Sequence, residues 1–166
     1  MTASRSSALL LFGATGDLAR RMLLPSLFGL HEDGLLNPGL RIVGTARSEL
    51  DDASFRDMAR AALGEFLPDE RKDDTKLDGF LERLSYQPLD ASNIAGFPAL
   101  AGKVGDISGG LAIFLSTAPF LFEPTIKGLA AAGLAHEGVR IGLEKPLGND
   151  LASSRHINDE IGRAHV

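Results

Sequence analysis

A doubly wound, mainly parallel α/β sheet with helices on both faces is the fold class that three observations in this sequence predict. Two apolar runs, Ala8-Leu9-Leu10-Leu11-Phe12 and Leu111-Ala112-Ile113-Phe114-Leu115, are continuous rather than alternating, as strands covered on both faces must be. Stretches with helical spacing separate the strand-like runs along the whole chain, giving the repeated strand, helix, strand order that parallel crossovers require. The first run also ends in a glycine turn that opens a helix. With 166 residues, 44% hydrophobic and 23% charged, the chain suits one soluble globular domain spanning 1–166.

Each element follows from local chemistry. After the strand Ala8 to Phe12, Leu18, Met22, Leu23 and Leu27 give the first helix its apolar side, Asp17 stands where it can cap or complement the positive N-terminus, and Pro25 should kink or end the regular part. Turn residues from Glu32 to Gly39 close the unit. Leu40 to Ala46 reads as the second strand. Ser48 to Leu63 reads as a helix, with Phe55, Met58, Ala59, Ala62 and Leu63 on one face and Gly64 as its stop. A short helix carrying Leu77, Phe80, Leu81 and Leu84 precedes a third strand, Ser85 to Leu89, weakened by Pro88. Asp90 is placed to cap a helix bearing Phe97, Leu100 and Val104. Leu111 to Leu115, a helix from about Phe122 to Ala132 stopped by Gly133, the strand Val139 to Leu143 and a helix opening near Asp150 complete the pattern.

The composition removes several functions. A formal charge of −5 argues against a general nucleic-acid binder. No apolar stretch reaches the roughly 18–20 residues of a membrane span. The N-terminus lacks a signal-peptide pattern, and a cytoplasmic protein is expected. There is no cysteine, hence no disulfide framework or thiolate chemistry, and His31, His136, His156 and His165 are scattered without metal-ligand spacing, so no metal is expected.

The segment Gly13-Ala14-Thr15-Gly16-Asp17-Leu18-Ala19 stands between the first strand and a helix, the context a dinucleotide fingerprint needs. Gly13 permits the tight turn, Gly16 lets backbone approach a pyrophosphate, and Ala19 is small enough for the helix to pack on the strand. Amides at the positive helix end then face the anion. The spacing G-x-x-G-x-x-A departs by one residue from the common G-x-G-x-x-G. At the end of the second strand, where NAD enzymes place an acidic residue for the ribose, Arg47 stands instead, 34 positions beyond Gly13. A guanidinium there grips an adenosine 2′-phosphate, with Thr15 or Thr45 adding a hydroxyl. Together these features predict a Rossmann-like fold binding NADP, with NAD still usable.

The letters G-A-T-G-D-L-A-R-R, V-G-T-A-R and L-E-K-P-L-G-N-D-L-A-S-S resemble the N-terminal half of the glucose-6-phosphate dehydrogenase family, from about Leu9 to the C-terminus. The resemblance implies oxidation of glucose 6-phosphate at C-1 to 6-phosphogluconolactone, with hydride passing to NADP, in the pentose phosphate pathway. It implies that Gly13, Thr15, Gly16, Asp17 and Leu18 line the cofactor phosphates, that Arg47 holds the 2′-phosphate, and that Ser116, Thr117 and Ala118 lie beside the nicotinamide. Lys145 would touch substrate and cofactor; a lysine at a strand's C-terminal edge fits that role, and Pro146 restricts it to extended dihedrals.

Members of the family continue into R-I-D-H-Y-L-G-K, which carries the general base, and into a large α+β substrate and dimer domain. These 166 residues include neither, so the isolated chain is expected to be nearly inactive, and a homo-oligomer is expected of the full-length enzyme alone. His156 and His165 are not substitutes, because no partner carboxylate is expected to orient them. Two other readings stand at this point. One is the Rossmann half of another sugar oxidoreductase with a Glu-Lys-Pro motif, resembling glucose–fructose oxidoreductase or inositol dehydrogenase. The other is a non-catalytic NADP-binding module.

Overall fold

The computed structural model describes residues 6–144 and 151–164. Strands β1 (Ala8–Phe12), β2 (Arg41–Ala46), β3 (Leu84–Pro88), β4 (Leu111–Leu115) and β5 (Arg140–Leu143) pair in parallel in the order β3-β2-β1-β4-β5. Their C-terminal tips are level: Phe12 is in register with Thr45 and Leu115, Thr45 with Gln87, and Leu115 with Leu143. The chain leaves β1 toward β2 on one side and later returns to place β4 on the other. The tips of β1 and β4 therefore bound the crevice at which such sheets bind ligands.

Side-chain alternation along β1 divides the interior in two. Ala8, Leu10 and Phe12 point into one core with Phe97, Leu100 and Val104 of α4 (Phe97–Val104), Phe122, Ile126 and Leu129 of α5 (Phe122–Ala131) and Ile157 of α6 (Leu151–Ala164). Leu11 points into the other, against Leu24 and Phe28 of α1 (Leu24–Glu32), Phe55, Ala59 and Leu63 of α2 (Asp52–Phe66) and Phe80 and Leu81 of α3 (Asp74–Leu81). Both faces of β1 are covered, which is why its sequence shows no polar alternation. Among the described residues no helix is long and apolar enough to cross a membrane.

Several boundaries differ from the sequence reading for identifiable reasons. The first helix continues past Pro25 but is irregular just before it: a π-helical turn over Ala19–Leu23, closed by the Leu24 N–H on the Ala19 carbonyl, leads into α1 with the proline in its first turn. Asp17 makes no side-chain cap and instead accepts from Arg21 Nε at 2.7 Å. Helix α2 starts at Asp52, capped by Asp51, whose carboxylate accepts from the Ser54 amide at 2.7 Å. It runs through Gly64 and stops only where Pro68 forces Leu67 into an extended conformation. Leu84 belongs to β3 rather than to α3. Asp90 caps no helix; it closes a turn onto Ser92.

The outer edge of β3 is covered from both faces. Asp52 of α2 accepts from the Tyr86 amide at 2.8 Å, Arg56 Nε donates to the Leu84 carbonyl at 2.9 Å, and Lys103 of α4 reaches over the edge to Asp52 at 2.9 Å. An edge that would otherwise expose a free ladder to other chains is thereby satisfied within the fold.

Two expected outcomes follow from the packing. Gly44 in β2 faces Phe55, and an added methyl would lie 2.5 Å from its Cζ and 2.9 Å from the Ala14 Cβ, both residues being fully buried. Gly44→Ala is expected to cost about 1–3 kcal/mol by overpacking, read as a lower urea midpoint at unchanged slope, and Phe55→Leu in the same chain should recover part of it. His31, half-buried beside Phe28 and Phe80, accepts from Arg83 Nε at 3.1 Å, and burial first, then the Arg83 charge, push its pKa below the ordinary 6.5. The unfolded chain then takes up this proton before the folded one. Stability is full above about pH 6.5 and falls as the pH drops below it. The melting temperature should decline from pH 7.5 to pH 5.5 more steeply in the wild type than in His31→Gln.

Candidate functional site

A cleft of about 440 Å³ opens over the tips of β1, β2 and β3 and the segment after β4. Its middle is the corner that follows β1. The Gly13 and Ala14 amides both donate to the Thr45 carbonyl, at 2.9 and 3.2 Å, and the Gly16 amide donates to the Gly13 carbonyl at 3.0 Å. Gly13 adopts φ +74°, and a methyl there would sit 2.7 Å from the Ser116 carbonyl oxygen. Left-handed backbone pressed against a neighbouring strand admits only glycine. Three of the corner amides are thus engaged in holding the turn. The Thr15 amide has no protein partner among the described residues, and with the amides of the helix's first turn it is what remains to meet an anion.

On one flank of the corner stands Arg47, exposed and lining the same cleft as Gly13, Thr15 and Gly16. Tyr86 of β3 fixes this flank. Its buried hydroxyl donates to the carbonyls of Ala46 and Ser48, at 3.1 and 2.8 Å, so the backbone on both sides of Arg47 is tethered. Burial raises the Tyr86 pKa above its ordinary value, which keeps the hydroxyl a donor. Thr15 and Ser48 bring their hydroxyl oxygens to 3.3 Å across the cleft. Thr45 does not contribute a ligand hydroxyl, because its Oγ1 donates to the Gln87 carbonyl at 2.7 Å.

On the other flank Thr117 and Ala118 line the cleft, and the Thr117 hydroxyl is buried without a partner among the described residues. Phe120, 79% exposed, stands at the mouth. Ser116 lies behind the corner, its hydroxyl donating to the Phe12 carbonyl at 2.7 Å, and Asp17 and Leu18 lie on the helix's first turn outside the lining. Lys145, with Pro146 beside it, lies outside the described residues, as does His165. His156 does have a carboxylate partner, contrary to expectation: its Nε2 is 3.0 Å from Glu123 Oε2, because α6 packs on α5, and Lys127 first and His156 second hold the Glu123 carboxyl down to about 2. This pair is exposed and away from the cleft.

The site reading from sequence missed Ser48, Tyr86 and the segment Leu89-Asp90-Ala91-Ser92, all at or near the tips of β2 and β3. The parallel register was the available signal: once β3 lies beside β2, the residues leaving it must flank Arg47.

Comparison with known proteins gives this geometry a family. Residues 10–165 match the family described as "Glucose-6-phosphate dehydrogenase, NAD binding domain". Over 155 residues, 93% of this chain, the sequence is 53% identical to the glucose-6-phosphate 1-dehydrogenase of Zymomonas mobilis, of which it spans 32%. The crystal structure of glucose-6-phosphate 1-dehydrogenase from Mycobacterium avium superimposes on 98% of the chain with a TM-score of 0.87 at 33% identity. A glucose-6-phosphate dehydrogenase in complex with its substrate glucose-6-phosphate matches 95% of it with a TM-score of 0.77 at 29% identity. In each case the chain spans about a third of the relative's length. With its glycine corner, its cleft over the strand tips and this continuous match, the chain belongs to the glucose-6-phosphate dehydrogenase family, over the stretch that forms its NAD-binding domain.

Proposed function

We propose that this chain holds NADP in the cleft, its pyrophosphate at the Gly13–Gly16 corner, its 2′-phosphate on Arg47 and its nicotinamide toward Thr117 and Ala118. In the longer protein that the relatives exemplify, the reaction is oxidation of glucose 6-phosphate to the lactone. The C-1 hydride passes to the nicotinamide, and the hydroxyl proton to a base. NAD remains a usable, weaker ligand.

One observation carries the reading. At the tip of β2, beside a corner with free amides, stands an arginine whose flanking backbone Tyr86 holds, where NAD enzymes keep a carboxylate. The fit is supported on the opposite flank by Thr117 and Ala118, which line the cleft, and at the centre by a turn that a side chain at Gly13 would obstruct. The cleft's own residues bind and orient. Among the described residues its lining holds no histidine and a single carboxylate, Asp90, on the flank away from Thr117, so the proton is taken by a group that these residues do not supply. Lys145, at the end of β5 in sequence, is proposed to contact substrate and cofactor, and Asp17 and Leu18 to support the phosphates through backbone amides.

Titration calorimetry with NADP and NAD tests this. A charge-assisted contact of about 1.5–3 kcal/mol is at stake, so Arg47→Ala is expected to weaken NADP about ten- to a hundredfold while leaving NAD affinity nearly unchanged. Tyr86→Phe, which frees the Arg47 backbone without removing the cation, should weaken NADP to a smaller degree. Equal loss for both dinucleotides in Arg47→Ala would overturn the assignment of Arg47 to the 2′-phosphate.

A further inference from the structure

The outer edge of β3 and the flank that carries Arg47 are joined through one residue. Tyr86 is held by α2 at two points: its amide donates to Asp52 Oδ1 at 2.8 Å, and its ring packs on that of Phe55 with centroids 5.0 Å apart. Beyond the ring, the hydroxyl ends on the Ala46 and Ser48 carbonyls, at 3.1 and 2.8 Å, on either side of Arg47. The carboxylate that takes the Tyr86 amide is itself fixed from the opposite face of the sheet. Lys103 of α4 brings Nζ to 2.9 Å from Asp52 Oδ1 and 3.0 Å from Oδ2, so both oxygens are engaged. A chain of contacts thus runs from α4, over the sheet edge, to the backbone beside Arg47.

We propose that Asp52 and Lys103 are positioning residues for dinucleotide choice: by fixing Tyr86 they hold Arg47 at the tip of β2, and the preference for NADP over NAD depends on this ion pair at the outer edge of the sheet. The proposal rests on the assignment of Arg47 to the 2′-phosphate. Neither Asp52 nor Lys103 lines the cleft, so neither acts by contact with the ligand. Burial opposes ionisation of Asp52, yet the Lys103 bond and the Tyr86 amide outweigh it and hold the carboxyl below its ordinary range. At neutral pH it is therefore an ionised acceptor. A guanidinium on a fixed backbone loses less freedom when it binds an anion than one on a loose backbone. NAD lacks the phosphate that Arg47 would meet, so loosening this flank weakens NADP alone. Both partners are about a third exposed, and the effect is accordingly a trimming of selectivity rather than its loss.

The ratio of NADP to NAD affinity, measured by titration calorimetry of the 166-residue chain, is the readout. Lys103→Met and Asp52→Ala are each expected to lower it about two- to fivefold with an unchanged far-ultraviolet spectrum, and Lys103→Arg, which keeps a cation on Asp52, should retain the wild-type ratio. Acting through charge alone, loss of the cation would weaken the more anionic NADP and loss of the carboxylate would strengthen it, so shifts of opposite sign overturn the proposal. In Tyr86→Phe, where the tether is already gone, adding Lys103→Met should move the ratio no further, and a further fall overturns the route through Tyr86. Equal weakening of both dinucleotides, as a general loss of stability would give, overturns it too. If the wild type shows no preference, or keeps its preference in Arg47→Ala, the NADP reading itself fails. That outcome is distinct from an Arg47-dependent preference that the Asp52 and Lys103 variants leave unmoved, which overturns this proposal alone.

Discussion

The cleft depends on a single residue at the end of β2. The Thr45 carbonyl accepts from two successive amides, Gly13 and Ala14, and so turns the chain out of β1 at a fixed height, while the Thr45 hydroxyl donates to the Gln87 carbonyl and holds the tip of β3 level. Ser116 completes the row by donating its hydroxyl to the Phe12 carbonyl. Four strand ends are thereby locked by hydrogen bonds that lie outside the regular ladder. Buried as it is, Thr45 gives up any role toward a ligand in order to do this. A corner so constrained holds its remaining free amides in place before an anion arrives, and rigid donors lose little on binding.

Charge in the cleft is arranged locally against the charge of the whole. The chain carries −5, yet a dinucleotide with an extra phosphate is itself strongly anionic. In the proposed reading, attraction comes from groups at short range, namely the helix end and Arg47, because beyond roughly 8–10 Å salt screens the remainder. An isolated exposed arginine would lose much of that attraction to side-chain freedom. The two bonds from Tyr86 to the carbonyls flanking Arg47 remove the backbone part of that freedom. Asp90 sits in the same cleft without an ion pair to Arg47, turned instead toward Ser92, so the cation is not neutralised in advance.

What the sequence made legible and what it concealed divide along a physical line. Buried strands announce themselves, because a run such as Leu9 to Phe12 has only one stable home, between two covered faces. Gly13 was equally legible: only glycine accepts its backbone angle beneath Ser116. Helix ends were less so. Asp51 and Asp52 both look like caps, and only the Ser54 amide chooses between them. Gly64 looks like a stop, yet it faces open space in a helix that runs on to Phe66 and ends ahead of Pro68. Relations across the sheet left no local signal at all. That Tyr86 would reach the carbonyls beside Arg47, that Lys103 would close over an edge strand onto Asp52, and that Glu123 would meet His156 are consequences of tertiary packing between residues 33 to 51 positions apart.

The two cores explain how the cleft can keep polar groups that the fold itself does not satisfy. A buried hydroxyl left unbonded, like that of Thr117, costs on the order of 1–3 kcal/mol, a large share of the stability a domain of this size possesses. Such a cost is tolerable where it does not propagate. Leu10 and Leu11, adjacent in sequence, support opposite hydrophobic clusters, each closed by its own helices, and the cleft touches these clusters only at their upper margins, through Phe12 and Leu89 on one side and Ala46 on the other. Burial of phenylalanines and leucines below the strand tips thus stabilises the sheet independently of whatever fills the space above. The tips are free to remain under-bonded without loosening the layers beneath them.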